Sequence, residues 1–224
     1  MDGDADLSYP ARLMGEPARA AMLVALLDGG SRPAGELAAI AGVGAPTASA
    51  HLAQLVEGGL LVDRRIGRHR YFSLADADVA DAVEALQRIS PRQRIRSLRQ
   101  STTALRLAEL RSCYDHLAGR VALVLADALV DEGSVAPLVA GRVGEMTGEG
   151  PVARRLGLRA AAPTGRRPAV RGCLDWTERR PHVAGAIGAQ VRERFLEQGW
   201  ATAMAHDRSL KLTDAGRDLL AGFA

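Results

Sequence analysis

The stretch GVGAPTASAHLAQLVEGGLLVDRRIGRHRYFSL, residues Gly42 to Leu74, decides the fold. Pro46 stands where the first turn of a helix tolerates it, because an N–H there has no intrahelical partner. Ala48, Leu52, Leu55 and Val56 follow at i, i+4, i+7 and i+8, the stripe that a helix buries. Thr47, His51 and Gln54 share a different face, with Ser49 and Ala50 beside it, and such short side chains allow close approach to a groove. Gly58 and Gly59 stop the helix. Two β-prone runs come next, Asp63 to Ile66 and His69 to Leu74, and Gly67 between them can supply the positive φ of a tight hairpin. Arg64, Arg65, Arg68, His69 and Arg70 crowd this hairpin, a charge that suits a phosphate backbone better than a packed core. Helix, glycine stop and arginine-bearing hairpin make the pattern of a winged helix-turn-helix.

Upstream, Leu13, Ala20, Leu23, Val24 and Leu27 keep helical spacing across a segment in which Pro17 suits a first turn and Gly29-Gly30 a stop. In SRPAGELAAIA, Pro33 opens a shorter helix with Leu37 and Ile40 facing inward, and Val43-Gly44 leaves a turn tight enough for helix-turn-helix geometry. Downstream, Ala75 to Ile89 presents Val79, Val83, Leu86 and Ile89 on one helical face. Asp76, Asp78, Asp81 and Glu84 form its solvated side. The next segment, 91–112, reads as a basic connecting or dimer-flanking helix. Ile95, Leu98, Thr102, Leu105 and Ser112 form a weak seam there, and Arg92, Arg94, Arg96, Arg99, Arg106 and Arg111 cover the outside.

The chain has 224 residues, of which 47% are hydrophobic and only 4% aromatic, enough for globular packing through small aliphatic side chains. Its net charge of +3 is too mild to identify a partner, and Lys211 is the only lysine. Residues 1–8, with Asp2, Asp4 and Asp6, read as a disordered acidic tail. Two cysteines do not make a disulfide scaffold in a chain this long, so a reducing cytoplasm is the expected compartment. No basic-apolar-small leader opens the sequence. Its longest apolar run, Val121 to Val130, is broken by Asp127 and too short to span a bilayer.

The second half matches itself at an offset of 66 residues. Asp115-His116-Leu117-Ala118-Gly119 falls over Pro181-His182-Val183-Ala184-Gly185, Gly133 over Gly199, Arg142 over Arg208, Thr147 over Thr213 and Gly150 over Gly216. Each copy reads as a helix, a glycine stop, two short β-prone segments and a Thr-x-x-Gly opening a helix. The expected class is mainly α with small β hairpins. A winged helix-turn-helix over 9–90 and the connecting helix over 91–112 precede an α+β domain over 113–224, whose degenerate winged-helix-like repeats cover about 113–160 and 179–224.

Residues 13–74 resemble the ArsR family of bacterial winged-helix transcriptional repressors. The resemblance rests on Leu13-x-x-Glu16-Pro17-x-Arg19, on Gly35-Glu36-Leu37-Ala38 before the turn, and on Thr47-x-Ser49-x-His51-Leu52-x-x-Leu55. Glu57-x-Gly59-Leu60-Leu61 enters the wing, and Gly67-Arg68-x-x-Tyr71-x-x-Leu74 leaves it. It implies a homodimer on a double-stranded DNA operator, with recognition helices in successive major grooves and release by an effector. Thr47, Ser49, His51 and Gln54 would contact bases or phosphates, and Arg64, Arg65, Arg68 and Arg70 would bind phosphate or the minor groove. Ala45, Pro46 and Ala50 stand where relatives often carry longer polar readers, leaving more of the readout to Gln54, the wing and DNA shape.

What the chain senses is left open by its residues. The family's cysteine trap before the turn and its zinc site on the later helix both lack their ligands here. Cys113 and His116, which would share a face of a helix, could join Cys173 and His182 to hold zinc or another soft ion. The same cysteines could instead form a thiol switch, or all four residues could simply fill a core and cap helices. Tyr114, Trp176, Phe195 and Trp200 would either line a pocket for a small-molecule effector or weld the repeats together. A DNA-binding or interaction scaffold without effector control is the alternative to an effector-released repressor. No activated nucleophile, phosphate loop or paired-carboxylate motif points to an enzyme.

Overall fold

The computed structural model describes residues 4–91, 97–159, 167–205 and 207–223. The chain divides into two compact units, Met1–Gln87 and Arg88–Ala224.

In the first unit α1 (Ser8–Met14) and α2 (Pro17–Ala25) are separate helices. The periodicity from Leu13 to Leu27 is thus interrupted at Gly15-Glu16, where the Glu16 carboxylate accepts the Arg19 N–H at 2.8 Å and caps α2. The acidic segment also takes part, since Asp6 accepts the Ser8 N–H at 2.9 Å as α1 begins. Then come β1 (Arg32–Pro33), α3 (Ala34–Ala41) and α4 (Ala45–Glu57), with Gly42 at φ 66° ending α3. The wing is β2 (Leu61–Ile66) and β3 (His69–Leu74), antiparallel from Leu61↔Leu74 to Ile66↔His69. β1 adds to β3 through Arg32↔Phe72, an edge strand that its two-residue length hid from the sequence.

Met22, Leu23, Leu26, Leu27, Leu37, Leu52, Leu55, Leu61 and Phe72 form this unit's core. Each such side chain contributes about 1.5–3 kcal/mol by leaving water. Ile40, expected inside, is 38% exposed because α3 ends one residue later. On α5 (Ala77–Ile89) Val79 and Val83 are buried, and so is Glu84, expected on the solvated side, but Leu86 and Ile89 are 43% and 81% exposed. The apolar face therefore runs past the core that it covers.

The first helix that lies wholly in the second unit is α6 (Leu98–Glu109). The basic helix expected to reach residue 112 stops earlier: Arg111–Cys113 is strand β4, paired with β5 (His116–Ala118). Arg111 is correspondingly no surface charge but a fully buried one, paired with Asp175 in a distant part of the chain. Arg92, Arg94 and Arg96 lie outside the described residues, as does the side chain of Arg99.

After α7 (Arg120–Asp131), β6 (Val143–Gly144) and α8 (Pro151–Arg155) come β7 (Val170–Leu174) and β8 (Pro181–Ala184), with sheet order β6-β7-β8. The chain continues through α9 (Gly185–Glu197), the hairpin of β9 (Ala201–Ala203) and β10 (Leu210–Leu212), and α10 (Asp214–Ala221). α7 gives Val121, Leu125 and Leu129 to the core, and α9 gives Ile187, Val191 and Phe195.

Several positions 66 residues apart have alike geometry. Gly119 (φ 96°) precedes α7 and Gly185 (φ 81°) opens α9; Gly133 and Gly199 follow them at φ 76° and 66°. Thr147 donates to the Gly133 carbonyl at 2.6 Å, and Thr213 to that of Gly199 at 2.8 Å. The copies also differ. The hairpin expected after α7 is a single bridge, Val135↔Met146, whereas β9 and β10 pair over three residues.

Candidate nucleic-acid interface and a buried cysteine–histidine cluster

α4 is amphipathic in the sense the sequence required: Ala48, Leu52 and Leu55 are buried, while Thr47, Ser49, Ala50 and Gln54 are exposed. Two of its polar residues are tethered. Arg19, 8% exposed, donates from Nε to the Leu13 carbonyl at 2.7 Å and from NH2 to that of Arg12 at 3.0 Å. Its NH1 donates to Gln54 Oε1 at 2.6 Å and lies 3.4 Å from His51 Nδ1, which also faces Glu16 at 3.7 Å. Thr47 and Ser49 project from the first turns of α4, and His51 and Gln54 sit where the helix meets α1 and α2. The Glu16 and Arg19 signals were visible in the sequence, but their role in holding the α4 side chains was not.

In the wing, residues 62–70 are all exposed. Register places Arg65 opposite Arg70 and Arg64 opposite Tyr71, on opposite faces of the ribbon. Like charges directly across a pair repel, and Asp63 relieves this by accepting from Arg70 Nε at 2.6 Å and NH2 at 2.9 Å. The Arg70 bond is also the main reason the Asp63 carboxyl titrates below its ordinary range. Arg70 further lies 5.1 Å over the Phe72 ring. Gly67, at φ 60°, takes the first central position of the two-residue turn, and Arg68 beside it donates to His69 Nε2 at 3.2 Å. The eight residues expected to face DNA therefore lie on α4 and the β2–β3 wing of one unit, and Arg70 is already paired with Asp63.

The second unit gathers Cys113, His116, Cys173 and His182, all buried, with one ligating atom of each within 4.8 Å of the others. The expectation of a shared helical face for Cys113 and His116 is overturned, since they sit opposite each other in the β4–β5 hairpin. Cys173 and His182 sit opposite each other across β7 and β8 in the same way. The sulfurs are 3.9 Å apart and the two Nε2 atoms 3.1 Å. His116 Nδ1 lies 3.3 Å from Asp115, and His182 Nδ1 lies 3.8 Å from Asp175. Burial opposes charge on His116, but the Cys113 sulfur and the Asp115 carboxylate outweigh it and lift its pKa to about 10. Burial, and then the charge of His116, push His182 well below the ordinary histidine range.

Asp175 anchors the cluster's surroundings. Fully buried, it pairs with Arg111 NH2 at 2.9 Å and accepts N–H bonds from Gly119 at 2.7 Å and Thr177 at 2.8 Å. Arg111 also donates to the Leu107 carbonyl at 2.9 Å and lies 4.9 Å over the Trp176 ring. Sequence reasoning missed both members of this pair; only the position of Asp175 two residues after Cys173 marked it. The four aromatic residues have different neighbours. Phe195 and Trp200 make an edge contact at 5.4 Å within the core, Trp176 lies against Arg111, and Tyr114 occupies the β4–β5 turn at φ 58°. A small apolar crevice is lined instead by Leu117, Ala122, Leu125, Leu129, Val183 and Val191.

An exposed helix of short polar side chains, a tight preceding turn and an arginine-bearing β ribbon define a winged helix-turn-helix DNA-binding unit. Residues 14–64 match the family model of a helix-turn-helix domain. Over 207 residues the chain is 39% identical to an uncharacterized HTH-type transcriptional regulator, YdfF of Bacillus subtilis, covering 92% of this chain and 91% of that protein. The chain belongs to the HTH-type transcriptional regulators, and its first unit is a winged helix-turn-helix.

Among solved structures, the transcriptional repressor BigR from Xylella fastidiosa is 30% identical, over 39% of this chain and 89% of that one, at a TM-score of 0.36. The homodimeric winged helix-turn-helix domain of Mb0332 from Mycobacterium bovis is 26% identical, over 43% and 100%, at 0.34. Among the described residues no helix is long and apolar enough to cross a membrane.

Proposed function

We propose that the chain is a homodimeric transcriptional repressor that places two copies of α4 in successive major grooves and leaves DNA when an effector acts on its second unit. The observation that carries this reading is the pairing, within one unit, of the exposed Thr47 and Ser49 on α4 with Arg64, Arg65 and Arg68 on the wing. Thr47 and Ser49 approach bases, His51 and Gln54 contribute from the anchored edge of the helix, and the wing arginines with Arg70 supply salt-dependent attraction to phosphate. Leu98, Thr102 and Leu105, exposed at i, i+4 and i+7 on α6, support self-association. The alike positions 66 residues apart support reading the second unit as two winged-helix-like repeats without arginine wings.

The test is a fluorescence-anisotropy titration with duplex DNA from the chain's own upstream region against a scrambled duplex. Expected is tighter binding to the upstream duplex, with preference lost in Thr47→Ala/Ser49→Ala and affinity lost for both duplexes in Arg64→Ala/Arg65→Ala. Equal affinity for the two duplexes in the unaltered chain would sink the reading.

A further inference from the structure

We propose that Cys113, His116, Cys173 and His182 form a closed tetrahedral site for one soft divalent metal ion of the zinc class. Two β hairpins, far apart in the chain, each present a cysteine directly across from a histidine: Cys113↔His116 in one and Cys173↔His182 in the other. The histidines are 66 residues apart and the cysteines 60, because the second hairpin has six more residues between its cysteine and its histidine. The same donor pair thus arises twice, at equivalent register positions, although the spacing along the chain differs.

The sulfur–sulfur and nitrogen–nitrogen separations fit an ion. Metal–sulfur bonds of about 2.3 Å and metal–nitrogen bonds of about 2.0–2.1 Å at tetrahedral angles put two sulfurs roughly 3.8 Å and two nitrogens roughly 3.3 Å apart. The observed separations are 3.9 Å and 3.1 Å. Both histidines turn Nε2 inward; His116 presents Nδ1 to the Asp115 carboxylate at 3.3 Å, while His182 Nδ1 lies 3.8 Å from Asp175, beyond hydrogen-bond distance. For His116 that is the outer arrangement which orients an imidazole ligand and strengthens its donation.

A purely structural role explains the site less well. Two facing Nε2 atoms can share only one proton, and His182 Nδ1 is buried without a hydrogen bond among the described residues. The sulfurs stand well beyond the roughly 2.05 Å of a disulfide. All four ligands come from the protein and are buried, so no coordination position is left for substrate. The ion would fasten β4–β5 to β7–β8 rather than catalyse, and would enter as both thiols lose their protons.

The experiment uses the full-length chain, purified without chelator or metal-affinity tag. Elemental analysis is expected to give about one zinc ion per chain. After removal of the metal, cobalt(II) is added, and thiolate-to-cobalt charge transfer with the intense visible bands of a tetrahedral ion is expected. Asp115→Asn, which keeps all four ligands, should weaken cobalt binding about 10–100-fold, and Cys113→Ser should abolish the two-thiolate spectrum. Metal-free protein that gives no such bands, while circular dichroism reports a folded chain and titration counts two reactive thiols, overturns the proposal. So does a chain two hydrogens lighter with neither thiol titratable, which is the disulfide. Because the spectrum of the unaltered chain decides, misfolding of a variant cannot hide the outcome. DNA affinity measured on the same samples keeps failure of the repressor reading separate.

Discussion

Arg19 illustrates how a buried charge prepares an exposed surface. Its guanidinium bonds to two main-chain carbonyls and to Gln54, fixing α4 against α1 and α2. A hydrogen bond to a charged group is worth about 1.5–3 kcal/mol, so Arg19→Met should lower the unfolding free energy by about 2–3 kcal/mol in urea titrations. The wing arginines should behave unequally. Arg64→Ala should reduce the salt-dependence slope of DNA binding by about one, and Arg70→Ala should reduce it less, because Asp63 already neutralises Arg70. Equal slopes for the two variants would refute that ordering. At Asp175, burial alone would raise the pKa, but the Arg111 guanidinium and the Thr177 hydrogen bond outweigh it and bring it from 3.8 to about 2. A depressed carboxyl stabilises the fold above its unfolded value. This share of stability is therefore complete above about pH 4 and is lost as pH falls through about 2. Acid denaturation of Asp175→Asn should lack that component.

Among the elements, α9 depends on a side chain that is missing. A Cβ at Gly188 would stand 2.5 Å from the Val183 carbonyl oxygen and 3.0 Å from His116 Cβ. Gly188→Ala must therefore move α9 off β8 and the β4–β5 hairpin, and it should cost about 1–3 kcal/mol, visible as a lower melting temperature. α8 is held differently: the Glu132 carboxylate accepts the N–H groups of Val152 and Ala153 at 2.6 and 3.0 Å. Glu132→Ala should cost about 1 kcal/mol as the loss of a helix cap. The first-unit elements were legible because each is encoded locally: the stripe of Ala48, Leu52 and Leu55, the Gly42 stop and the Gly67 turn all depend on neighbours within a few residues. α6 was misjudged at its end because nothing near Arg111 announces that its partner is Asp175.

At the scale of the molecule, Leu98 and Leu105 remain 88% and 63% exposed on a helix whose other face packs against α7, β4 and β10. In the proposed homodimer, Leu98→Glu combined with Leu105→Glu should shift sedimentation from dimer to monomer while leaving the helical circular dichroism unchanged. The sequence by itself determined the winged helix-turn-helix, since period, stops and turn chemistry are local. It also named the four cysteine and histidine residues and the 66-residue offset that places histidine over histidine. Only the tertiary structure decided that these residues meet, because strand register across two distant hairpins sets their separation and chain spacing does not. Likewise only packing decided that Arg111 is internal, since a buried charge persists where an opposite charge and its hydrogen bonds surround it, and Asp175 reaches Arg111 through the fold alone.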